Sequence, residues 1–212
     1  EPEGLLRVAV PHAFGQHRLV EPLATYLNDH PRVSVEWLLR DDVRDFIANG
    51  IDCAIQVGEP SDPAVVAIRL SNVDRIVAAS PSLLENGRVP TEPEELMSLP
   101  WLALRTYYRT ELTLTHEETG ERRRITISPR MSTDNLYALR NAALLGIGAC
   151  ASSAWLLADD LAAQRLVHLA PKWRAAALPV YLIYPHAQFY PSRLVRFIAL
   201  MREAVPLAIG GV

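Results

Sequence analysis

Apolar residues come first in a tight block. Leu5-Leu6-Arg7-Val8-Ala9-Val10 holds five apolar residues in six and stops at Pro11. Such a run predicts a strand buried on both faces, as in a parallel sheet under helices. The period then changes: Val20, Leu23, Ala24 and Leu27 recur at i, i+3, i+4 and i+7, one face of a helix. Pro22 is tolerated only in its first turn. Asn28-Asp29-His30-Pro31 ends that helix, and the alternation Val33-Ser34-Val35-Glu36-Trp37-Leu38 predicts a second strand.

Arg40-Asp41-Asp42 offers a cap for a short helix with Val43, Phe46 and Ile47 inward and Gly50 at its end. Asp52-Cys53-Ala54-Ile55-Gln56-Val57-Gly58 predicts a third strand. The order β-α-β-α-β with short connections specifies a parallel sheet with right-handed crossovers. Two further strands are expected, Val65 to Leu70 and Arg75-Ile76-Val77-Ala78-Ala79.

Composition shifts after residue 79, to a stretch rich in Glu and Pro in which Thr91-Glu92-Pro93-Glu94 opens a short helix. Trp101-Leu102-Ala103-Leu104 starts a second group of strands. Leu112 to His116 and Arg124 to Ser128 alternate around Glu118-Thr119-Gly120-Glu121, the signature of a hairpin. Ser132-Thr133-Asp134-Asn135 caps a helix carrying Leu136, Leu139, Ala143 and Ile147 on one side. Gly146-Ile147-Gly148 closes it before a short strand, Ala149-Cys150-Ala151. A helix over about 154–164, a strand Leu166 to Leu169 and an apolar strand Pro179 to Tyr184 follow. A last helix presents Leu194, Ile198, Met201 and Val205. The pattern is an α/β fold of two lobes, residues 1–79 with 185–212 and residues 80–184, with a cleft between them.

Bulk properties narrow the function. Half of the 212 residues are hydrophobic and 21% are charged, a globular composition. The formal charge of −3 excludes the basic footprint of a nucleic-acid surface on this chain. No apolar run reaches the roughly 18 residues of a membrane helix, so no membrane partner is expected. No charged-then-apolar leader opens the chain, and Glu1-Pro2-Glu3-Gly4 has the character of an interior linker. Cys53 and Cys150 stand alone in apolar runs, the pattern of buried free thiols in a cytoplasmic protein.

Chemistry-bearing motifs are few. Gly146-Ile147-Gly148-Ala149-Cys150-Ala151 has the spacing of a dinucleotide fingerprint, but a helix precedes it and a strand follows, the reverse of what that motif needs. Glu121-Arg122-Arg123-Arg124 enters a hairpin strand beside Glu117 and Glu118 and is expected to be a solvated turn. Asp41-Asp42 and Asp159-Asp160 are expected at helix starts or exposed faces. His12, His17, His30, His116, His168 and His186 include no i, i+4 pair, so no metal site is expected. No nucleophile elbow exists, no catalytic residue is assigned, and no cofactor is implied.

Four loops with polar tips remain, all expected at carboxyl ends of strands or starts of helices: His12-Ala13-Phe14-Gly15, Leu39-Arg40-Asp41, Arg105-Thr106-Tyr107 and Ser132-Thr133-Asp134-Asn135. Together they predict a small-ligand cleft, with Arg40 and Arg105 able to pair with a carboxylate.

The ordered set Gly4-Leu5-Leu6-Arg7-Val8-Ala9-Val10-Pro11 with Phe14-Gly15, Asp52 to Gly58, Val77-Ala78-Ala79-Ser80-Pro81, Leu144-Leu145-Gly146-Ile147-Gly148 and Val180-Tyr181-Leu182-Ile183-Tyr184-Pro185 resembles the effector-binding domain of LysR-type transcriptional regulators. It departs from the family pattern at Ala13 and Gln56, where serine and arginine are usual. The resemblance implies a type 2 periplasmic-binding-protein-like fold, with two Rossmann-like lobes joined by two crossover strands. It further implies a small effector, often a carboxylate, held between the lobes, for which the four loops offer His12, Ala13, Phe14, Arg40, Arg105, Thr106, Tyr107, Thr133 and Asn135 as contacts. Homodimers or homotetramers are implied, with DNA bound through an N-terminal winged helix-turn-helix that this chain does not contain. An extracytoplasmic solute-binding protein of the same fold is the alternative, and an enzyme on this fold lacks a convergent acid, base or nucleophile.

Overall fold

The computed structural model describes residues 1–41 and 46–209. Val43 and Asp42, expected in the short second helix and its cap, lie outside the described residues, as do the side chains of Phe46 and Ile47. The chain divides into two compact units. One holds the described residues of Glu1–Val73 and Leu178–Gly211, the other Asp74–Ala177. The changeovers fall inside two long strands, β4 (Val65–Ala79) and β11 (Trp173–Pro185). The sequence pattern set them at 79/80 and 184/185, near the far ends of the same strands.

In the first unit, β1 (Gly4–Val10) lies parallel to β2 (Val33–Leu39) along its whole length, from Gly4 opposite Val33 to Val10 opposite Leu39. On its other side β1 pairs in parallel with β3 (Cys53–Val57), and β3 pairs antiparallel with β11 through Val180 to Ile183. The parallel core follows from the β-α-β-α-β order, and the part of β11 from Leu178 onward, placed in the second lobe by the sequence pattern, lies with the first unit, where Val180 and Leu182 are fully buried. Val8, Ala9 and Val10 are fully buried, whereas Leu5 is exposed, so β1 is covered on both faces only in its second half.

Helix α1 (Val20–Asp29) turns a different face inward from the one expected. Val20 and Ala24 are exposed, and the buried members are Leu19 and Tyr26, with Leu23 and Leu27 half-buried. Tyr26 decides the rotation. Its hydroxyl donates to the Arg193 carbonyl at 2.6 Å, and its ring meets Phe197 edge-on at 5.3 Å. Those partners belong to helix α5 (Ser192–Ile209), whose buried face is Leu194, Phe197, Met201, Val205 and Ile209. Phe197 takes the place expected for Ile198, which is only half-buried. An aromatic pair with a satisfied hydroxyl buries more surface than the aliphatic alternatives on these helices.

In the second unit, the end of β4 pairs antiparallel with β9 (Cys150–Ser153) on one side and β10 (Val167–Leu169) on the other. The predicted hairpin is present as β6 (Glu111–His116) and β7 (Arg122–Thr126), and β6 also pairs with the start of β11. A two-stranded parallel sheet joins β5 (Trp101–Leu104) to β8 (Pro129–Thr133). Helices α3 (Leu136–Leu144) and α4 (Ala154–Ala162) pack on this frame around a core that includes Leu96, Trp101, Leu102, Leu139 and Trp173. The two strands expected at 65–70 and 75–79 are one continuous strand. The polar step Ser71-Asn72 does not interrupt it, because extended backbone needs no turn residue to continue.

Candidate functional site

Four polar loops were expected to gather at strand ends, and within each unit two of them do. In the first unit the carboxyl ends of β1 and β2 are adjacent, fastened by the Arg40 N–H donating to the Val10 carbonyl at 2.8 Å. Beyond Pro11 the chain turns at once: Phe14 and Gly15 N–H groups donate to the Pro11 carbonyl at 3.1 and 2.9 Å, starting a π-helical turn, Phe14–Arg18. Asp41 braces this corner. Its carboxylate accepts the His12 N–H at 3.1 Å and stands 2.8 Å from His12 Nδ1. Ala13 and Phe14 are each 3% exposed and belong to the core, so the polar groups at this end come from His12, Asp41 and Arg40. The exposed Arg40 guanidinium reaches Asn49 Oδ1 at 3.4 Å.

In the second unit β5 and β8 end together, with the Arg105 N–H on the Thr133 carbonyl at 2.9 Å. Asn135 caps α3, its Oδ1 accepting the Ala138 N–H at 3.0 Å, and Thr133 Oγ1 accepts the Asn135 N–H at 3.1 Å. Both side chains thus hold the turn that aims the start of α3. Arg105 and Thr106 are exposed and Tyr107 half-buried. Tyr108, next in sequence, is buried, donating from its hydroxyl to the Leu102 carbonyl at 2.9 Å and accepting from the Ala151 N–H at 3.0 Å. Burial and the neighbouring Cys150 push its phenol well above the ordinary range, so it is a structural hydroxyl and stays protonated.

One cation near these loops was missed by the sequence reading. Arg75, at the head of the apolar run in β4, lies under the surface with its guanidinium carbon 5.9 Å from the Tyr107 ring centroid. Desolvation pushes it below its ordinary value, and Tyr108 and Tyr107 oppose that shift. A charged residue opening a strand carries no periodic signal. Only the packing of β9 and β11 beside it buries it.

The remaining motifs take structural roles. Arg123 sits among Glu121, Glu92 and Glu94 at 2.8–3.0 Å and 4.6 Å over the Trp173 ring, so carboxylates already satisfy it. Gly146-Ile147-Gly148 joins the end of α3 to β9. Asp160 corrects the expectation of an exposed acid: it is fully buried and held by Arg140 and Arg165. Both cysteines are free and buried, and burial pushes the Cys150 thiol up to about 12 and that of Cys53 higher. Neither is a reactive thiolate. Among the described residues, no group of three or more His, Cys, Asp or Glu side chains could hold a metal. No described helix is long and apolar enough to cross a membrane.

Residues 1–206 match the family model of the LysR substrate binding domain. The chain belongs to this family. It is 30% identical over 203 residues to the HTH-type transcriptional regulator PtxR of Pseudomonas aeruginosa, covering 96% of this chain and 65% of that regulator. It is 26% identical over 193 residues to the transcriptional activator AaeR of Escherichia coli K12, covering 91% of this chain and 62% of AaeR. The fold matches the full-length virulence activator AphB of Vibrio cholerae with a TM-score of 0.80 at 22% identity, over 99% of this chain and 69% of AphB. It matches the regulatory domain of CrgA from Neisseria meningitidis with a TM-score of 0.75 at 24% identity, over 96% of this chain and all of that domain. The α/β architecture is therefore that of LysR-type regulatory domains, of the periplasmic-binding-protein-like type, and the chain is a LysR-type effector-binding domain. Relatives named as transcriptional regulators favour this assignment over a solute-binding protein of the same fold.

Proposed function

We propose that this domain senses a small anionic metabolite and passes the binding event to DNA binding elsewhere in a full regulator. One observation carries the ligand class. At the carboxyl ends of the parallel strands of each unit stands an exposed arginine, Arg40 after β2 and Arg105 after β5, with no carboxylate paired to it among the described residues. Strand carboxyl ends are where open α/β sheets take ligands, and a guanidinium fork matches a carboxylate. In the first unit His12 flanks Arg40, with Ala13 and Phe14 packed in the core beneath the turn; in the second, Thr106, Tyr107, Thr133 and Asn135 flank Arg105.

The effector acts by differential affinity. It favours one conformation of the domain, and that preference alters the packing of homodimers or homotetramers and so the spacing of their DNA-binding segments. The formal charge of −3 suits a domain that leaves phosphate contacts to another part of the protein. The buried thiols suit the reducing cytoplasm.

A thermal-shift titration with acetate, succinate and benzoate tests the reading, because a ligand of the native state raises the midpoint by mass action. At least one carboxylate is expected to stabilise the wild type, and Arg40→Ala with Arg105→Ala to weaken that effect. An unchanged response in the double variant would overturn the assignment.

A further inference from the structure

Acids answer many of the second unit's arginines. Arg88, Arg123, Arg124, Arg140, Arg165 and Arg174 each stand within ion-pair distance of a carboxylate. The turn that follows β5 is different. It carries two exposed arginines, Arg105 and Arg109, and neither meets a carboxylate among the described residues. Asp134, the exposed acid on the adjoining turn after β8, forms no ion pair with either.

This turn is fixed from several sides. The Tyr107 and Tyr108 N–H groups donate to the Leu104 carbonyl at 2.8 and 3.0 Å, and the Arg105 N–H is fastened to the Thr133 carbonyl at 2.9 Å. The buried Tyr108 hydroxyl anchors the far side on Leu102 and Ala151. Across the turn, Arg109 Nε donates to the carbonyl of Arg105 itself at 3.3 Å. That bond folds the Arg109 side chain back over the residue that bears the other guanidinium. It occupies Nε and leaves the two Nη groups of Arg109 without a partner among the described residues.

A guanidinium does not discard its charge by losing a proton. Charges rising from one short turn are incompletely screened from each other at physiological salt, where the Debye length is about 8 Å. They repel one another, and together they attract a dianion more than a monoanion. Two separate guanidinium forks also match two separate planar carboxylates.

We propose that the Arg105 site of the second unit takes a small dicarboxylate, with Arg109 as the arm for its second carboxylate. The proposal rests on the reading of an anionic effector and names the charge of that anion.

Calorimetric titration at constant ionic strength tests it with matched pairs, succinate against butyrate and phthalate against benzoate. In wild type at least one dicarboxylate is expected to bind about tenfold tighter than its monocarboxylate match. Arg109→Gln is expected to bring that ratio close to one, and Arg109→Lys, which keeps the charge, to retain most of it. Arg105→Gln is expected to weaken both members of the pair. The ratio is internal to each variant, so a change in stability alone does not move it. Dicarboxylates that bind wild type no tighter than their matches, or a ratio unchanged in Arg109→Gln, would overturn the proposal. Monocarboxylates that still bind wild type and are lost in Arg105→Gln would then leave the anionic effector standing. Wild type that binds none of the four would remove the anionic effector itself.

Discussion

Arg140 of α3 grips Asp160 of α4 with both arms of its guanidinium, Nε at 2.5 Å from Oδ2 and Nη2 at 2.9 Å from Oδ1. Arg165 completes the set on Oδ1 at 3.0 and 2.6 Å. Fork-to-carboxylate geometry is the strong form of this interaction. The Asp160 carbonyl meanwhile accepts the Arg165 and Leu166 N–H groups, so one residue both joins two helices and closes α4.

Asp160→Ala should therefore cost about 1–3 kcal/mol, because it removes the buried carboxylate that the partly exposed Arg140 and the half-exposed Arg165 both bond. Arg165→Ala, whose side chain is half-exposed, should cost only about 0–1 kcal/mol. Urea denaturation of the two variants checks the contrast. Equal losses would mean that Arg165 and not Arg140 carries the pairing.

Acid should weaken the domain through His168 before it reaches the carboxylates. His168 sits on β10 with Nε2 buried and unpartnered, and desolvation lowers its pKa, so the fold holds it neutral. Unfolded chain, with a histidine pKa near ~6.5, binds the proton more readily. Stability from this site is thus complete above about pH 6.5 and falls as pH drops below it. His168→Gln should flatten the slope of the unfolding midpoint below about pH 6.5.

Asp160 titrates lower. Desolvation pushes its carboxyl up, but the hydrogen bonds and charges of Arg140 and Arg165 outweigh that and leave it below the ordinary carboxylate range. Its contribution is present above about pH 4 and is lost as pH falls through the lowered value. Asp160→Asn should remove that part of the acid transition in a circular-dichroism titration.

Gly148 has a packing role that the dinucleotide-like spacing conceals. A Cβ there would lie 2.8 Å from the Trp101 carbonyl carbon and 3.0 Å from the Pro100 oxygen, both backbone atoms. Backbone cannot swing aside as a side-chain tip does, so Gly148→Ala should destabilise by about 1–3 kcal/mol. Unfolding by guanidinium measures it, and a silent substitution would refute the close approach.

Tyr108→Phe deletes a hydroxyl that both donates to Leu102 and accepts from Ala151. It leaves a buried N–H and a buried carbonyl short of a partner, at an expected cost of about 1–3 kcal/mol. Amide exchange at Ala151 should accelerate in the variant more than in its neighbours.

Much of this architecture is written along the chain. The apolar block before Pro11, the alternation at Val33–Leu38 and the hairpin around Gly120 each appear as β1, β2 and the β6–β7 pair, because period and turn chemistry are local properties. Asn135 is legible as a cap for the same reason. The order of the elements settled the parallel core of β1, β2 and β3, whereas the pairing of β11 with β3 came only with the structure, the sequence pattern having kept Pro179 to Tyr184 in the second lobe. The four polar loops were legible as loops at strand ends.

What the chain alone left undecided depends on partners distant in sequence. The rotation of α1 followed Tyr26 because Arg193 and Phe197, more than 160 residues later, receive its hydroxyl and its ring. Ala13 and Phe14 sit at a polar turn, yet the core takes their side chains. Asp160 looks like one of two adjacent surface acids until Arg140 meets it from another helix. Arg75 looks like a strand-edge charge until β9 and β11 close over it. Periodicity reports which face of an element is apolar. Whether a single charge is buried, and what answers it, is an energy shared among elements, and only their tertiary arrangement sets it.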